Sequence, residues 1–527
     1  MIHADVLGER SRLTPDKTAL VDIATGQQWT YGELDRRARA CASMWRELGA
    51  LKGDRVAILS HNRPEYIEAF AAAGKSGVIL VTLGTRLTAH ELAHIVQDAQ
   101  PKILLYESSF GDKLAKLGEL LAAAMPQLIC FDGDGETGSD SALYETRLAD
   151  QTPEAYEPAI CDGEDVYCLL YTSGTTGAPK GVMIPHRMVA WNGYNTACCW
   201  QLREDDVSPI FTPLYHAGGL LAFLVPIMTI GGTLVLHRSF DEEEIWRTIA
   251  EQRCTVVLGV PTIYRLLMES PAFEGADLSS LRWMISGGAP LPHYLIEAYQ
   301  ERGVVFKQGF GMTEVGVNCF SMTVEESKQK IGSIGKPMMF TEVRIVDEDG
   351  QDVADGEVGE MLFRGPHVSL GYWRNEAATE KAYDSDGFYH SGDQARRDED
   401  GFFYVAGRAK DMFISGGVNI YPAEIEGALL QHPQVEDAAV IGAPDEKWGE
   451  IGVAYLVPRP GDGLEIESVE AHLEDRLARF KRPREYRLID ALPRNDYGKI
   501  VKPRLRELFE EEIAAATAGE ISAEVSA

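Results

Sequence analysis

Short apolar runs alternate with amphipathic stretches through the first 110 residues. Residues 56–59, 78–81 and 103–106 are apolar runs of strand length, whereas Leu34, Ala38, Met44, Trp45 and Leu48 recur at helical spacing. Residues 65–75 form a second helical stretch. Thr30 with Glu33, and Thr88 with Glu91, have the spacing of a capping box and mark two helix starts. Strands that alternate with helices predict parallel pairing through crossovers. The pattern returns at the apolar runs 166–171, 255–259, 283–286 and 304–306, and Pro261 and Pro292 stand where helices can begin.

From about residue 332 the texture changes. Strands at 343–346, 360–364 and 402–405 are joined by acidic, glycine-containing turns, which predicts a small β-rich subdomain at 332–407. Beyond Arg408 strands and helices mix again, with helices at 422–430 and 466–477 and strands at 435–441 and 453–457, the second stopped by Pro458. The chain therefore reads as α/β: a large N-terminal domain, residues 1–408, built of parallel α/β sheets with that β-rich subdomain, and a small α+β C-terminal domain, residues 409–527. The Ala- and Glu-rich stretch after Glu510 lacks apolar anchors and is expected to fray.

Charge narrows the function. Fifty Lys and Arg stand against 81 Asp and Glu, a formal net charge of −31, which opposes binding to nucleic acid or anionic membrane through a general basic surface. The most apolar run, 219–230, is interrupted by Pro226 and is too short to cross a bilayer, which takes roughly 20 residues. No signal-peptide pattern opens the chain. The eight cysteines are scattered without zinc-type spacing, and the pair Cys198–Cys199 reads as a packed helix face, so a reducing, cytoplasmic setting is expected.

The strongest chemical signal is Tyr171-Thr172-Ser173-Gly174-Thr175-Thr176-Gly177-Ala178-Pro179-Lys180-Gly181, which follows an apolar strand. Glycines let backbone N–H groups approach an anion, hydroxyls add donors and lysine adds charge, so this composition suits phosphate. It is not a Walker loop, because Pro179 precedes Lys180 and Gly181 follows it. Further along stand Pro213-Leu214-Tyr215-His216-Ala217-Gly218-Gly219, Ser286-Gly287-Gly288-Ala289-Pro290 and Gln308-Gly309-Phe310-Gly311-Met312-Thr313-Glu314. Then come Tyr389-His390-Ser391-Gly392-Asp393, Gly407-Arg408-Ala409-Lys410-Asp411, the stretch from Ser415 to Glu424, and Arg494-Asn495-Asp496-Tyr497-Gly498-Lys499.

Taken together and in this order, these segments resemble the signatures of acyl-adenylate-forming (AMP-binding) enzymes, in particular the acyl-CoA synthetase branch. The resemblance spans nearly the whole chain. It implies that Thr172, Ser173, Gly174, Thr175, Thr176, Gly177 and Lys180 grip the phosphates of ATP. It places Gly288, Ala289, Pro290, Gln308, Gly309, Phe310 and Gly311 along the nucleotide, with Phe310 on adenine, Thr313 on the α-phosphate, and Glu314 with Thr175 at Mg²⁺. Asp393 and Arg408 would hold the ribose. Lys499 would bridge the acyl carboxylate and the α-phosphate, His216 would position the acid, and Gly416 and Gly417 would let the pantetheine arm of CoA pass. Many relatives carry an acidic residue or glutamine where Val418 stands. Lys410 falls at the family's hinge, about which the small domain is mobile.

The same resemblance implies a two-step ligase that uses ATP, Mg²⁺ and CoA: acyl-AMP and pyrophosphate form first, and the acyl group then passes to a thiol. The expected pocket residues Tyr215, His216, Gly219, Leu220, Leu258, Val260, Gly288, Gly311, Val315 and Gly316 are mostly apolar or small, which favours an apolar tail. A medium-to-long or branched aliphatic acid is the first expectation, and an aryl acid of hydroxycinnamate type is the alternative. Arg238, Arg265 and Arg282 keep a dicarboxylate open. Amino-acid-activating relatives carry an Asp shortly after the aromatic–histidine segment, and no acid stands in residues 220–228, so the resemblance opposes an amino-acid substrate. A luciferase-like oxygenase and a non-catalytic binding protein are the remoter readings, and a homodimer stays open.

Overall fold

A computed structural model of the chain describes residues 4–132, 142–172, 179–288, 291–415, 418–445, 447–461, 463–474, 476–495 and 499–525. Two compact units divide it: the first takes residues 1–287, 299–343 and 362–390, the second 288–298, 344–361 and 391–527.

The first unit is built on parallel sheets. A seven-stranded sheet runs in the order Ala142–Leu143, Gln127–Cys130, Ile103–Tyr106, Arg55–Leu59, Ile79–Thr82, Val166–Thr172, Lys180–Pro185. All its pairings are parallel except the last, a hairpin that sets Thr172 opposite Lys180. Its central strands are buried on both faces, as continuous apolar runs require. Both expected capping boxes are present, opening the helices Tyr31–Glu47 and Ala89–Ala99 with reciprocal bonds between threonine and glutamate. A four-stranded sheet joins Val207–Ile210, Thr233–Leu236, Thr18–Asp22 and Gln28–Thr30, and a three-stranded parallel sheet joins Val256–Gly259, Trp283–Ser286 and Phe306–Gln308. One buried charge is built into this unit. Lys75 is fully buried and its Nζ lies 2.8 Å from Asp5, which also caps the helix Val6–Leu13, and it bonds Asp35 as well.

A four-stranded sheet ordered Glu342–Val346, Gly359–Arg364, Tyr389–Arg397, Phe403–Arg408 occupies the expected β-rich stretch. The second unit holds a five-stranded sheet. Its path is Val418–Ile420, Phe413–Ser415, Gly449–Pro458, Val435–Asp445, and Glu485–Leu488 pairs parallel to Gly449–Pro458. The helices Pro422–Leu429 and Ile466–Glu474 cover a core that includes Ile425, Val440, Leu456 and Val469. The C-terminal stretch expected to fray lies within the helix Lys502–Val525. Ala and Glu are strong helix formers, and their propensity extends the helix past its last core contacts, Leu505 and Phe509. The Cys198–Cys199 pair is not a packed face either. It closes the helix His186–Cys199, with Cys198 exposed and Cys199 half-buried.

Candidate active site

The phosphate-type loop leaves the sheet at Thr172 and returns at Lys180, on adjacent antiparallel strands. Ser173, Gly174, Thr175, Thr176 and Gly177 lie outside the described residues, as do Ala289, Pro290, Gly416 and Gly417. What the hairpin fixes is the lysine. Lys180 Nζ sits 5.1 Å above the ring of Tyr372, a cation–π contact. Tyr372 is held there by backbone: Met183 N donates to Gly371 O at 2.9 Å and Trp373 N donates to Gly181 O at 2.8 Å, so residues 371–373 lie along the strand Lys180–Pro185.

The same tyrosine reaches the expected metal carboxylate. Tyr372 Oη donates to Glu314 Oε1 at 3.2 Å and lies 3.1 Å from Tyr389 Oη. Glu314 is 7% exposed, in the short 3-10 turn Thr313–Val315 that also carries Thr313, and its carbonyl accepts from Ser369 N at 2.8 Å. Burial pushes the Tyr372 and Tyr389 hydroxyls well above the usual phenol range, and the Glu314 charge adds to the effect, so both stay protonated donors. Upstream, Gln308 ends the strand Phe306–Gln308 and Gly309 follows. The Phe310 ring lies parallel to Phe363 at 5.8 Å and edge-on to Phe320. Gly311 admits no side chain, because a Cβ there would stand 2.2 Å from Val317 O. Val315 and Gly316 are buried at the end of the turn.

The aromatic–histidine segment is pinned from both sides. Asn62 accepts from Leu214 N at 2.8 Å and donates to Thr212 O at 3.0 Å, while Thr82 Oγ1 donates to Tyr215 O at 2.9 Å. The rings of Tyr215 and His216 stand 4.3 Å apart. A helix then starts at Ala217, and Gly219 is required in it, since a Cβ would meet Pro213 O at 2.3 Å. Leu220 opens a π turn, Leu220–Leu224, before α geometry resumes at Val225–Ile230. Leu258 and Val260 lie half-buried at the carboxyl end of Val256–Gly259, the end where open parallel sheets take their ligands.

The remaining expected residues belong to the second unit. Asp393 and Arg408 face each other across two strands, with Arg408 Nε 2.6 Å from Asp393 Oδ1. Asp393 is 4% exposed, and its Oδ2 has no hydrogen-bond partner among the described residues. Burial pushes this carboxyl up, opposed by the charges of Arg408, Lys499 and Lys410. A buried acceptor left over beside a cation is chemically suited to a ligand hydroxyl, which is what a ribose would bring. Lys499 is exposed and its backbone N–H donates to Asn495 Oδ1 at 3.0 Å. Lys410 is exposed in the turn Ala409–Asp411, and Gly288 is exposed just past the strand Trp283–Ser286.

The geometry therefore gathers Lys180 and Glu314 around Tyr372 in one unit, and Asp393, Arg408, Lys410 and Lys499 in the other. Sequence reasoning assigned no role to Tyr372, which has no local signature and meets Glu314 from 58 residues away. For Mg²⁺ the fit rests on donor chemistry: the buried carboxylate of Glu314, which shares Tyr372 with the Lys180 ammonium, suits an ion that binds through one or two protein carboxylates and substrate phosphates. No helix among the described residues is long and apolar enough to cross a membrane.

The family model for AMP-binding enzymes matches residues 7–373, and that for the AMP-binding enzyme C-terminal domain matches residues 424–499. A feruloyl-CoA synthase of Amycolatopsis is 39% identical over 502 residues, covering 95% of this chain and 97% of the relative. The long-chain-fatty-acid–CoA ligase FadD13 of Mycobacterium tuberculosis is 35% identical over 505 residues, covering 96% and 98%. Among solved structures, ATP-bound MatB from Rhodopseudomonas palustris superposes with a TM-score of 0.87 at 31% identity, covering 96% of this chain and 99% of that one. o-Succinylbenzoate coenzyme A synthetase (MenE) of Bacillus subtilis, in complex with ATP and magnesium ion, gives 0.83 at 32% identity, covering 95% and 99%. The α/β architecture, with its large N-terminal and small C-terminal parts, is that of the adenylate-forming enzymes. The chain belongs to the AMP-binding enzyme family and is an AMP-forming acid–thiol ligase that joins a carboxylic acid to CoA using ATP and Mg²⁺.

Proposed function

We propose that the acid is a compact aryl acid of hydroxycinnamate type, activated as acyl-AMP and transferred to CoA. One observation carries this choice. Phe223, in the π turn behind the aromatic–histidine segment, stands 5.9 Å from Trp200 and 6.1 Å from Trp283, and these two indoles meet at 6.1 Å. All three rings are buried in the core behind that segment, and a stiff aromatic backing there favours a flat, short acid over a long flexible chain. The 39% identity to a feruloyl-CoA synthase supports the same order. The aliphatic acid expected from composition becomes the second reading, supported by the 35% identity to FadD13. A dicarboxylate is disfavoured: Arg282 pairs with Asp206 at 2.6 Å, Arg238 with Glu107 at 2.5 Å, and Arg265 with Glu269 at 3.9 Å.

In this reading Lys180 and the hairpin loop hold the phosphates, Asp393 and Arg408 hold the ribose, and His216 orients the carboxylate. Glu314, with Thr175, would hold Mg²⁺, which would supply neutralisation of phosphate charge. Lys499 stabilises charge passing to pyrophosphate. Residues 409–527 turn about Lys410 between the two half-reactions, which removes Lys499 and brings Gly416 and Gly417 to the thiol. Eight free cysteines support a cytoplasmic setting. The test is pyrophosphate and AMP formation across aryl, alkyl and dicarboxylic acids, with and without CoA. The expected result is the highest kcat/KM on hydroxycinnamates with a CoA-dependent thioester. A tenfold preference for octanoate or longer acids overturns the aryl assignment.

A further inference from the structure

Pro226 leaves a gap in the helix that follows the aromatic–histidine segment. Proline has no N–H, so in α counting the carbonyl of Ala222 loses its donor, and in π counting the carbonyl of Leu221 loses the same one. Both carbonyls lie in the π turn Leu220–Leu224. Two side chains from elsewhere take them. Asn192, in the helix His186–Cys199, donates Nδ2 to Leu221 O at 2.6 Å. Asn318 donates Nδ2 to Ala222 O at 2.9 Å and to Thr196 Oγ1 at 3.0 Å. The two residues are 1% and 5% exposed. Burying an amide is unfavourable unless it is hydrogen-bonded, and an apolar side chain would fill such a position without that cost. The amides answer the two carbonyls, and an unbroken α-helix would need neither.

The turn matters because of its register. One inserted residue rotates every later side chain by roughly 100° about the helix axis relative to an uninterrupted α-helix. That register sets how Phe223 meets the indoles while Leu220 follows the His216 segment. Asn318 also lies four residues beyond Glu314, on a segment pinned by Cys319 N donating to Phe310 O at 3.0 Å. We propose that Asn192 and Asn318 are positioning residues that clamp the π turn and so determine which acids fit, with Asn318 tying that turn to the loop bearing Glu314. The proposal rests on the acid site argued above.

The test uses the full chain with Asn192→Leu, Asn318→Leu and the near-isosteric Asn318→Asp. Steady-state kinetics with ferulate, phenylacetate and octanoate are compared with ATP kinetics, and hydrogen exchange is followed over residues 221–229. The expected result for the Leu variants is a KM for the best acid at least tenfold higher and a preference among the three acids shifted at least fivefold. The KM for ATP stays within twofold, and exchange at 221–229 is at least tenfold faster. Adding Pro226→Ala to Asn318→Leu returns a backbone donor and slows that exchange again. If Asn318→Leu fails to fold, Asn318→Asp and Asn192→Leu carry the same comparison. Acid KM and preference within twofold of wild type overturn the proposal, as does a proportional loss of ATP and acid parameters, which marks the amides as structural only. A wild-type protein that turns over none of the acids sinks the substrate assignment instead. The clamp is then judged by exchange alone, and unchanged protection at 221–229 overturns it.

Discussion

Asp393→Asn should move stability and ATP affinity in different directions. The Asp393 carboxylate is nearly buried, one oxygen is satisfied by Arg408, and Oδ2 has no partner among the described residues. Burial raises its pKa above the ordinary 3.8, so its contribution to stability is fully present below pH 3.8 and is lost as pH rises through the folded value. A neutral amide of the same size removes that penalty at pH 7. Arg408 is 39% exposed, and water can take over its solvation when the carboxylate charge goes. The nucleotide-free variant should therefore match or slightly exceed wild type in urea midpoint. With ATP the balance reverses. Two ribose hydroxyls donating to a charged acceptor contribute about 1.5–3 kcal/mol each, and losing most of the charge-assisted part costs about 2–4 kcal/mol. That weakens ATP roughly 30- to 700-fold. Calorimetric titration of ATP with parallel urea melts checks both arms. An ATP affinity within threefold of wild type, or a nucleotide-free protein destabilised by more than about 2 kcal/mol, refutes the reasoning.

Three further predictions follow from other residues. Lys499→Ala should abolish acid-dependent pyrophosphate release while thioester formation from supplied acyl-AMP stays within a few-fold of wild type; equal loss in both assays removes its adenylation role. Tyr372→Phe keeps the ring beneath Lys180 but deletes the hydroxyl on Glu314, so the Mg²⁺ concentration for half-maximal rate should shift at least threefold with ATP affinity little changed, measured by Mg²⁺ titration at saturating ATP. Lys307 is 5% exposed, and burial together with the charge of Arg282 holds it down at about 8. The unfolded chain binds this proton more tightly, so stability should rise between about pH 8 and 10.5, and Lys307→Met should stabilise by about 1–3 kcal/mol at pH 7, read from urea midpoints across that range.

Local rules made much of the fold legible. The threonine–glutamate boxes at Thr30 and Thr88 form as spaced, and the structure adds a third at Thr323 with Glu326. Apolar runs gave the central strands to within one or two residues: the run 304–306 became Phe306–Gln308 because its pairing register with Trp283–Ser286 begins at Phe306. Long-range pairing was not legible. Thr18–Asp22 pairs with Thr233–Leu236, more than two hundred residues away, and no local pattern announces it. In the site, segments of unusual composition could be picked out, since glycine and hydroxyl clusters are locally visible. Tyr372 could not, because its meaning lies in the two partners it meets through space. The π turn was hidden for a different reason: Pro226 marks an interruption, but whether a helix breaks or widens there depends on Asn192 and Asn318 supplying donors.

The cysteine inventory has a practical consequence. Of eight free thiols, six are buried and Cys199 is half-buried, which leaves Cys198 as the one exposed sulfur. Burial pushes the buried Cys168 and Cys319 thiols up, which keeps them poor nucleophiles at neutral pH. A maleimide dye should therefore attach to the natural chain at a single place without any cysteine being removed. That place is the end of the helix carrying Asn192, so the unaltered enzyme comes with its own fluorescent reporter position for watching the acid arrive.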